Sequence, residues 1–177
     1  MRIVAGTCRG ARIFAPKGLD TRPTSDRVRE AAFNLIGPVD GAAVLDLYAG
    51  SGAMGLEALS RGAASAVFVE SDRDACRAIG RNLEKLRLTG AEVACRDVVR
   101  FLASDRRRFD LILVDPPYEL LESVAVPLAT YLPPLLADDG LVVVESSAQD
   151  EPELAPLATR TTRRYGSTRV TLLEQPA

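Results

Sequence analysis

From residue 42 onward short apolar runs alternate with segments of helical period, and this alternation narrows the fold to one class. "AAVLDL", "SAVFVE", "AEVAC", "FDLILV" and "GLVVVES" read as strands. Most are nearly continuous in apolar residues, the pattern of strands covered on both faces. Between them lie "AMGLEALSRG", the stretch from Asp72 to Leu88, "VVRFLAS", and the stretch from Glu119 to Leu136. In the second of these, Ala75, Ile79, Leu83 and Leu86 share one helical face. Pro127 begins or kinks a second part of the last, which predicts a broken helix. Strands separated by helices are joined by crossovers, so the sheet is mostly parallel with helices on both faces. The tail, "RTTRRYGSTRVTLLE", predicts a C-terminal antiparallel hairpin turning at Gly166. The first 16 residues predict a small N-terminal β-hairpin around a Gly-rich turn. A helix follows in "TSDRVREAAFNLIG", capped by Thr24 or Ser25 and closed by Gly37.

A length of 177 residues suits one domain with a small appendage, and a hydrophobic content of 47% suits a packed core. No apolar run approaches the ~20 residues of a membrane span. The start, "MRIVAGTCRG", lacks the apolar stretch of a secretory leader. Cys8, Cys76 and Cys95 are odd in number and widely spaced, which argues against a disulfide framework and a zinc site and fits a reducing, cytoplasmic setting. The chain has no histidine, which excludes the usual Ser-His-Asp and Cys-His nucleophiles and any His-containing metal site. Charge is uneven. Residues 1–37 carry seven basic side chains against three acids, a net +4, and the remainder carries 15 against 21, a net −6. A basic arm on an acidic body reads equally as a polyanion-facing surface or as a solvated face.

In a parallel sheet of this kind, ligands bind beyond the carboxyl ends of the strands, where strand order reverses. The residues there are the informative ones. "YAGSGAMG" places Gly50, Ser51, Gly52 and Gly55 in a tight turn opening a helix. Asp46 sits four residues before Gly50, and no basic side chain lies between Val44 and Leu59. That suits a cationic group better than a diphosphate. Glu70 ends the next strand, 24 residues after Asp46, where an acid binds ribose hydroxyls. Asp97 follows the third strand, where it could accept from an adenine amino group. Each acid alone reads equally as a helix cap or loop charge. Together they describe a pocket for an adenosine with a positively charged tail.

"VLDLYAGSGAMGLEALSRGA", "FVESD" and "DPPY" resemble the class I S-adenosylmethionine-dependent methyltransferases. With "GTCRGARIFAP" and "RPTSDRVREAAFNLIG" the chain is similar to the RsmD family, bacterial 16S rRNA guanine-N2 methyltransferases, over nearly its whole length. The resemblance implies a Rossmann-like sheet of seven strands and S-adenosylmethionine as donor, leaving S-adenosylhomocysteine, with no metal. It also implies an RNA-contacting hairpin (residues 1–22) ahead of the methyltransferase domain (residues 23–177). The expected target is 16S rRNA, within a small-subunit or assembly particle, methylated by a monomer away from any membrane. Thr24 is then placed near the methionine end of the cofactor, though a plain helix cap explains it equally. Arg2, Arg9, Arg12 and Arg22 become candidate RNA contacts.

"DPPY" has its own chemistry. An exocyclic base amine is a poor nucleophile because its lone pair is delocalised into the ring. Asp115 can accept one amino hydrogen and the Pro116 carbonyl the other, which favours a pyramidal nitrogen and draws off developing positive charge. Pro116 and Pro117 stiffen the turn, and Tyr118 offers a ring face for an extruded base. Two other readings remain. One is an amino-methyltransferase of DNA or another RNA, acting on adenine N6 or cytosine N4. The other is an NAD-dependent oxidoreductase, which would share the glycine loop and Glu70 but leave Asp46 and "DPPY" unexplained.

Overall fold

The structure is a computed structural model and describes residues 1–15 and 25–176. Twelve elements are described, in the order α1 (Asp26–Ile36), β1 (Ala43–Leu47), α2 (Ala53–Ser60), β2 (Ser65–Glu70), α3 (Arg73–Leu86), β3 (Ala91–Cys95), α4 (Val98–Ser104), β4 (Phe109–Val114), α5 (Tyr118–Leu135), β5 (Leu136–Ser147), β6 (Ala158–Tyr165) and β7 (Thr168–Glu174). They build one seven-stranded sheet of order β3-β2-β1-β4-β5-β7-β6. The first five strands are parallel, and β7 runs antiparallel to both β5 and β6. The α/β class, the parallel sheet and the C-terminal antiparallel hairpin expected from the sequence are all present.

Alternation along the strands fills a core on each face. Leu45, Leu47, Ile112 and Val114 point to the side covered by Phe101 and Leu102 of α4 and by Leu121, Leu128, Leu132 and Leu135 of α5. Val44, Leu111 and Leu113 point to the other side, against Phe33 of α1, Leu56 and Leu59 of α2, and Ile79 of α3. Burying each such side chain contributes about 1.5–3 kcal/mol, which is why these strands carry so few polar residues.

Three expectations are corrected. The N-terminal segment does not form a hairpin of two strands: it is a closed loop held by a single antiparallel bridge between Arg2 and Arg12. Its turn is stitched by its own backbone, with the Gly10 N–H on the Ile3 carbonyl at 2.8 Å and the Ile3 N–H on the Ala11 carbonyl at 2.9 Å. Nor is it a loose arm, because Ile3 and Ile13 are buried in the core shared with α1, α2 and α3. The helix expected to break at Pro127 runs unbroken from Tyr118 to Leu135 with Pro127, Pro133 and Pro134 inside it. Finally, β5 begins at Leu136, before the apolar run that marked it, because Leu136 pairs with Phe109 across a register shift.

Other boundaries follow their chemistry. Ser25 caps α1, its Oγ accepting from the Val28 N–H, and Gly37 closes it at φ 88°. Asp72 caps α3 in the same way, accepting from the Ala75 N–H.

Candidate active site

Strand order reverses between β1 and β4. From β1 the chain proceeds outward through β2 and β3, whereas β4 starts the other half of the sheet. Leu47 and Val114 are register partners, so the residues after them, Tyr48 and Asp115, emerge side by side. Glu70 stands at the end of β2 beside Cys95, which ends β3. The strand-end residues singled out in the sequence are thus brought to one edge of the sheet, about the β1–β4 boundary where sheets of this kind take their ligands.

Asp46 is buried, and its Oδ2 accepts the Gly55 N–H at 2.8 Å. Burial lifts its carboxyl from the ordinary 3.8 to about 8, and the nearby charges of Asp115 and Glu70 push the same way. A buried acid beside two others is the environment in which a cation is bound favourably. Glu70 holds the loops. Its Oε2 accepts from the Gly50 N–H at 2.9 Å, and its Oε1 from the Ser71 and Asp72 N–H groups at 2.7 and 2.8 Å. Asp97 caps α4, accepting the Arg100 N–H at 2.9 Å.

The glycines divide their work. Gly50 and Gly52 have φ of 53° and 78°, conformations that L side chains rarely adopt. Gly55 is needed for contact instead: a Cβ there would stand 2.3 Å from the Phe68 ring and 2.9 Å from Asp46 Oδ2. Helix α2 therefore sits directly on the strand carrying the buried acid.

On the β4 side, Asp115 is half-buried, Pro116 buried, and Pro117 exposed. The Pro117 carbonyl is taken by the Leu120 N–H at 2.8 Å, the first turn of α5. The Pro116 carbonyl accepts no hydrogen bond among the described residues. Tyr118 is 45% exposed, its hydroxyl 3.4 Å from Thr168 Oγ1. A carboxylate, an uncommitted carbonyl and an open ring face thus follow one another on a rigid turn.

Three features escaped the sequence reading. Tyr48 adopts a left-handed φ of 58°, which costs about 1–3 kcal/mol for a bulky residue. Burial and the charge of Asp97 raise its hydroxyl to about 12. Asn82, fully buried, accepts from the Phe14 N–H at 2.7 Å and donates to the Phe14 carbonyl at 2.9 Å and the Ser51 carbonyl at 3.1 Å. It thereby ties the N-terminal segment to the glycine loop. Glu57, also fully buried, accepts from the Val4 and Ala5 N–H groups at 2.8 and 2.9 Å and pairs with Arg29 and Arg61. Apart from the left-handed signal of a glycine-rich loop around Tyr48, nothing local in the sequence announces these.

Of the candidate RNA contacts, Arg2 pairs with Asp26 at 3.1 Å, while Arg9 and Arg12 are exposed and make no ion pair among the described residues. Arg22 and Thr24, and the boundary expected at residues 22–23, lie outside the described residues.

A model of the family described as conserved hypothetical protein 95 matches residues 1–174. Ribosomal RNA small subunit methyltransferase D of Escherichia coli strain K12 is 40% identical over 153 residues, covering 85% of this chain and 76% of that protein. YlbH of Bacillus subtilis, described as a candidate rRNA methyltransferase, is 38% identical over 184 residues, covering 99% of each. Among solved structures, the candidate methyltransferase yhhF from Escherichia coli superposes with a TM-score of 0.85 at 36% identity, covering 100% of this chain and 98% of that one. With the sheet order, the glycine loop and the "DPPY" turn in place, these matches make the chain a member of the conserved hypothetical protein 95 family, the RsmD methyltransferases.

Proposed function

We propose that this protein transfers a methyl group from S-adenosylmethionine to the exocyclic N2 amine of a guanine in 16S rRNA. The carrying observation is the turn after β4. Asp115 and the uncommitted Pro116 carbonyl lie across the β1–β4 switch point from the buried Asp46, with the open ring of Tyr118 beside them. Membership of a family whose Escherichia coli relative is named a small-subunit rRNA methyltransferase supports the RNA target. No helix among the described residues is long and apolar enough to cross a membrane. We take the protein to act as a cytoplasmic monomer on an assembling small subunit.

The residues present fit the donor. Asp46, raised by burial and neighbouring carboxylates, is stabilised as an anion when a cation comes beside it. Gly50, Ser51 and Gly52 line the tail of the ligand, Glu70 takes the ribose hydroxyls, and Asp97 the adenine edge. When bound, S-adenosylmethionine supplies an electrophilic methyl on a sulfonium. The protein supplies the rest. Asp115 and the Pro116 carbonyl each accept one amino hydrogen of the base, localising the nitrogen lone pair and aiming it. Tyr118 stacks the extruded base, worth roughly 1–3 kcal/mol. Pro117 fixes the turn. Arg2, Arg9 and Arg12 face the RNA, and Arg22 and Thr24 are assigned with them to RNA and cofactor respectively.

Mass spectrometry of nucleosides from small-subunit RNA, treated with active or Asp115→Ala protein, tests this reading. N2-methylguanosine is expected only with the active protein. Methylated adenine or cytosine instead would move the assignment to another base.

A further inference from the structure

The C-terminal hairpin touches the site through Thr168, and sheet register carries more of it to the same rim. Val114 pairs with Val144 of β5, Val144 with Thr171 of β7, and Thr171 with Thr162 of β6. One step toward the carboxyl end, the level of Asp115 crosses Glu145 and Val170 to reach Arg163; the next reaches Arg164. The turn between β6 and β7 therefore stands beside the "DPPY" turn. The contact between the Tyr118 hydroxyl and Thr168 Oγ1 at 3.4 Å closes the gap directly. Three strand spacings separate β4 from β6, roughly 14 Å. That is a span of about two or three nucleotides of extended single strand.

Some exposed arginines elsewhere are paired, Arg77 with Asp74, Arg107 with Asp105 and Glu92, and Arg108 with Asp138, while others, Arg9 and Arg12 among them, make no ion pair among the described residues. What sets the cations of this hairpin apart is their place beside the "DPPY" turn. On the hairpin itself, Arg160 and Arg169 face Glu174 and Glu151. Arg163 and Arg164 are exposed and make no ion pair among the described residues. Each donates only to a carbonyl of its own hairpin, Arg163 Nη1 to Thr162 at 2.8 Å and Arg164 Nε to Gly166 at 3.1 Å. These bonds orient the guanidinium groups without neutralising them. Cross-strand partners share a face, so Arg163 projects on the side of Val170, toward the α1–α3 core, and Arg164 on the side of Arg169. Two unneutralised cations thus straddle the edge strand beside the site, on a body of net charge −6 that would otherwise repel a phosphate backbone.

We propose that the β6–β7 hairpin is a second RNA-binding wall, with Arg163 and Arg164 holding backbone phosphates of the strand whose base enters the site. The inference rests on the reading of the protein as an RNA methyltransferase and adds the surface that grips the substrate on the side of β4 away from the glycine loop. Charged residues on an edge strand have another use, which is to discourage edge-to-edge pairing with a second chain. The two roles predict different outcomes.

Filter binding of small-subunit rRNA across a salt series, with the wild type, Arg163→Ala/Arg164→Ala, Arg163→Lys/Arg164→Lys and Arg108→Ala, decides between them. The alanine pair is expected to weaken RNA binding about tenfold at low salt and to flatten the salt slope by roughly 1.4, two contacts at about 0.7 each. The lysine pair should recover most of the affinity, because a phosphate contact needs the cation. Arg108→Ala, at the opposite end of the sheet, should match the wild type. Calorimetry should show S-adenosylmethionine binding unaltered in all four. An alanine pair with wild-type affinity and slope overturns the proposal, and so does one whose only change is self-association in sedimentation. A wild type that binds but does not methylate small-subunit RNA overturns the proposed function and leaves the binding wall standing; one that does neither removes both.

Discussion

At the scale of single residues, Asp46 and Asp115 do different things with the same functional group. Asp46 carries a folded pKa of about 8, far above its ordinary 3.8, so its protonated form stabilises the native state. That contribution is complete below about pH 4 and is lost as pH rises through about 8. Asp46→Asn cannot ionise, so its stability relative to the wild type is expected to rise steadily over that window. Thermal melts near pH 5 and pH 8.5 check this, and an unchanging gap would contradict the buried-acid reading. The same variant and Glu70→Ala should both bind S-adenosylmethionine more weakly by calorimetry. Asp115→Ala should instead lower turnover by roughly 10²–10³, the scale of losing one positioned partner to developing charge, with cofactor affinity within a few fold. Tyr118→Phe should be mild and Tyr118→Ala severe, because the hydroxyl only touches Thr168 while stacking needs the ring. Equal losses in the two, measured as kcat/KM on RNA, would make the hydroxyl the working part.

At the scale of elements, the N-terminal segment and α2 form one unit. Glu57 on α2 receives two backbone N–H groups of that segment and two arginines, and both Glu57 and Arg29 are fully buried. Ser60 adds a second fastening, its Oγ donating to the Ala5 carbonyl at 2.6 Å and accepting the Cys8 N–H at 2.9 Å. Gly6 lies so close to the Ser60 carbonyl that any Cβ would collide with it, at 1.8 Å. Removing Glu57 leaves Arg29 with Asp26 but takes a carboxylate from a buried pair and the acceptor from two backbone N–H groups, so Glu57→Ala should destabilise the fold by about 3–5 kcal/mol. Urea denaturation measures this. Loss below about 1 kcal/mol would mean that Ser60, Asn82 and the buried Ile3 and Ile13 hold the segment without Glu57. The segment presents Arg9 and Arg12 on a rigid mount rather than on a flexible arm, so on the proposed reading less ordering entropy opposes RNA binding.

At the scale of the whole molecule, a small net charge of −2 conceals a basic N-terminal region on an acidic body. RNA affinity should therefore fall steeply with salt, by a slope of roughly −0.7 for each phosphate contact. Arg9→Ala/Arg12→Ala should weaken binding and flatten that slope in filter assays, with cofactor affinity untouched. Wild-type affinity and slope in that double variant would return the segment to a purely structural role.

The chain alone determined the class of fold and which residues stand at the strand ends. Continuous apolar runs such as "FDLILV" can be stable only where both faces are covered, and the helical segments between them make those strands parallel. A parallel sheet in turn puts its ligand at the strand ends, so Asp46, Glu70, Asp97 and Asp115 were legible as a group before any coordinates. Propensity misled at α5, where Pro127 costs one backbone bond but Leu128, Leu132 and Leu135 pack the helix into place. It misled again at the start of β5, where "LADDG" has no strand pattern and pairing with Phe109 imposes one. Glu57 and Asn82 were invisible because the N-terminal backbone groups they hold, at Val4 and Phe14, lie 53 and 68 residues away along the chain. The alignment of Arg163 and Arg164 with the "DPPY" turn was hidden for the same reason. Local sequence encodes which face of an element is apolar, whereas a polar group's partner, and the level at which distant strands stand, exist only once the sheet has closed its register.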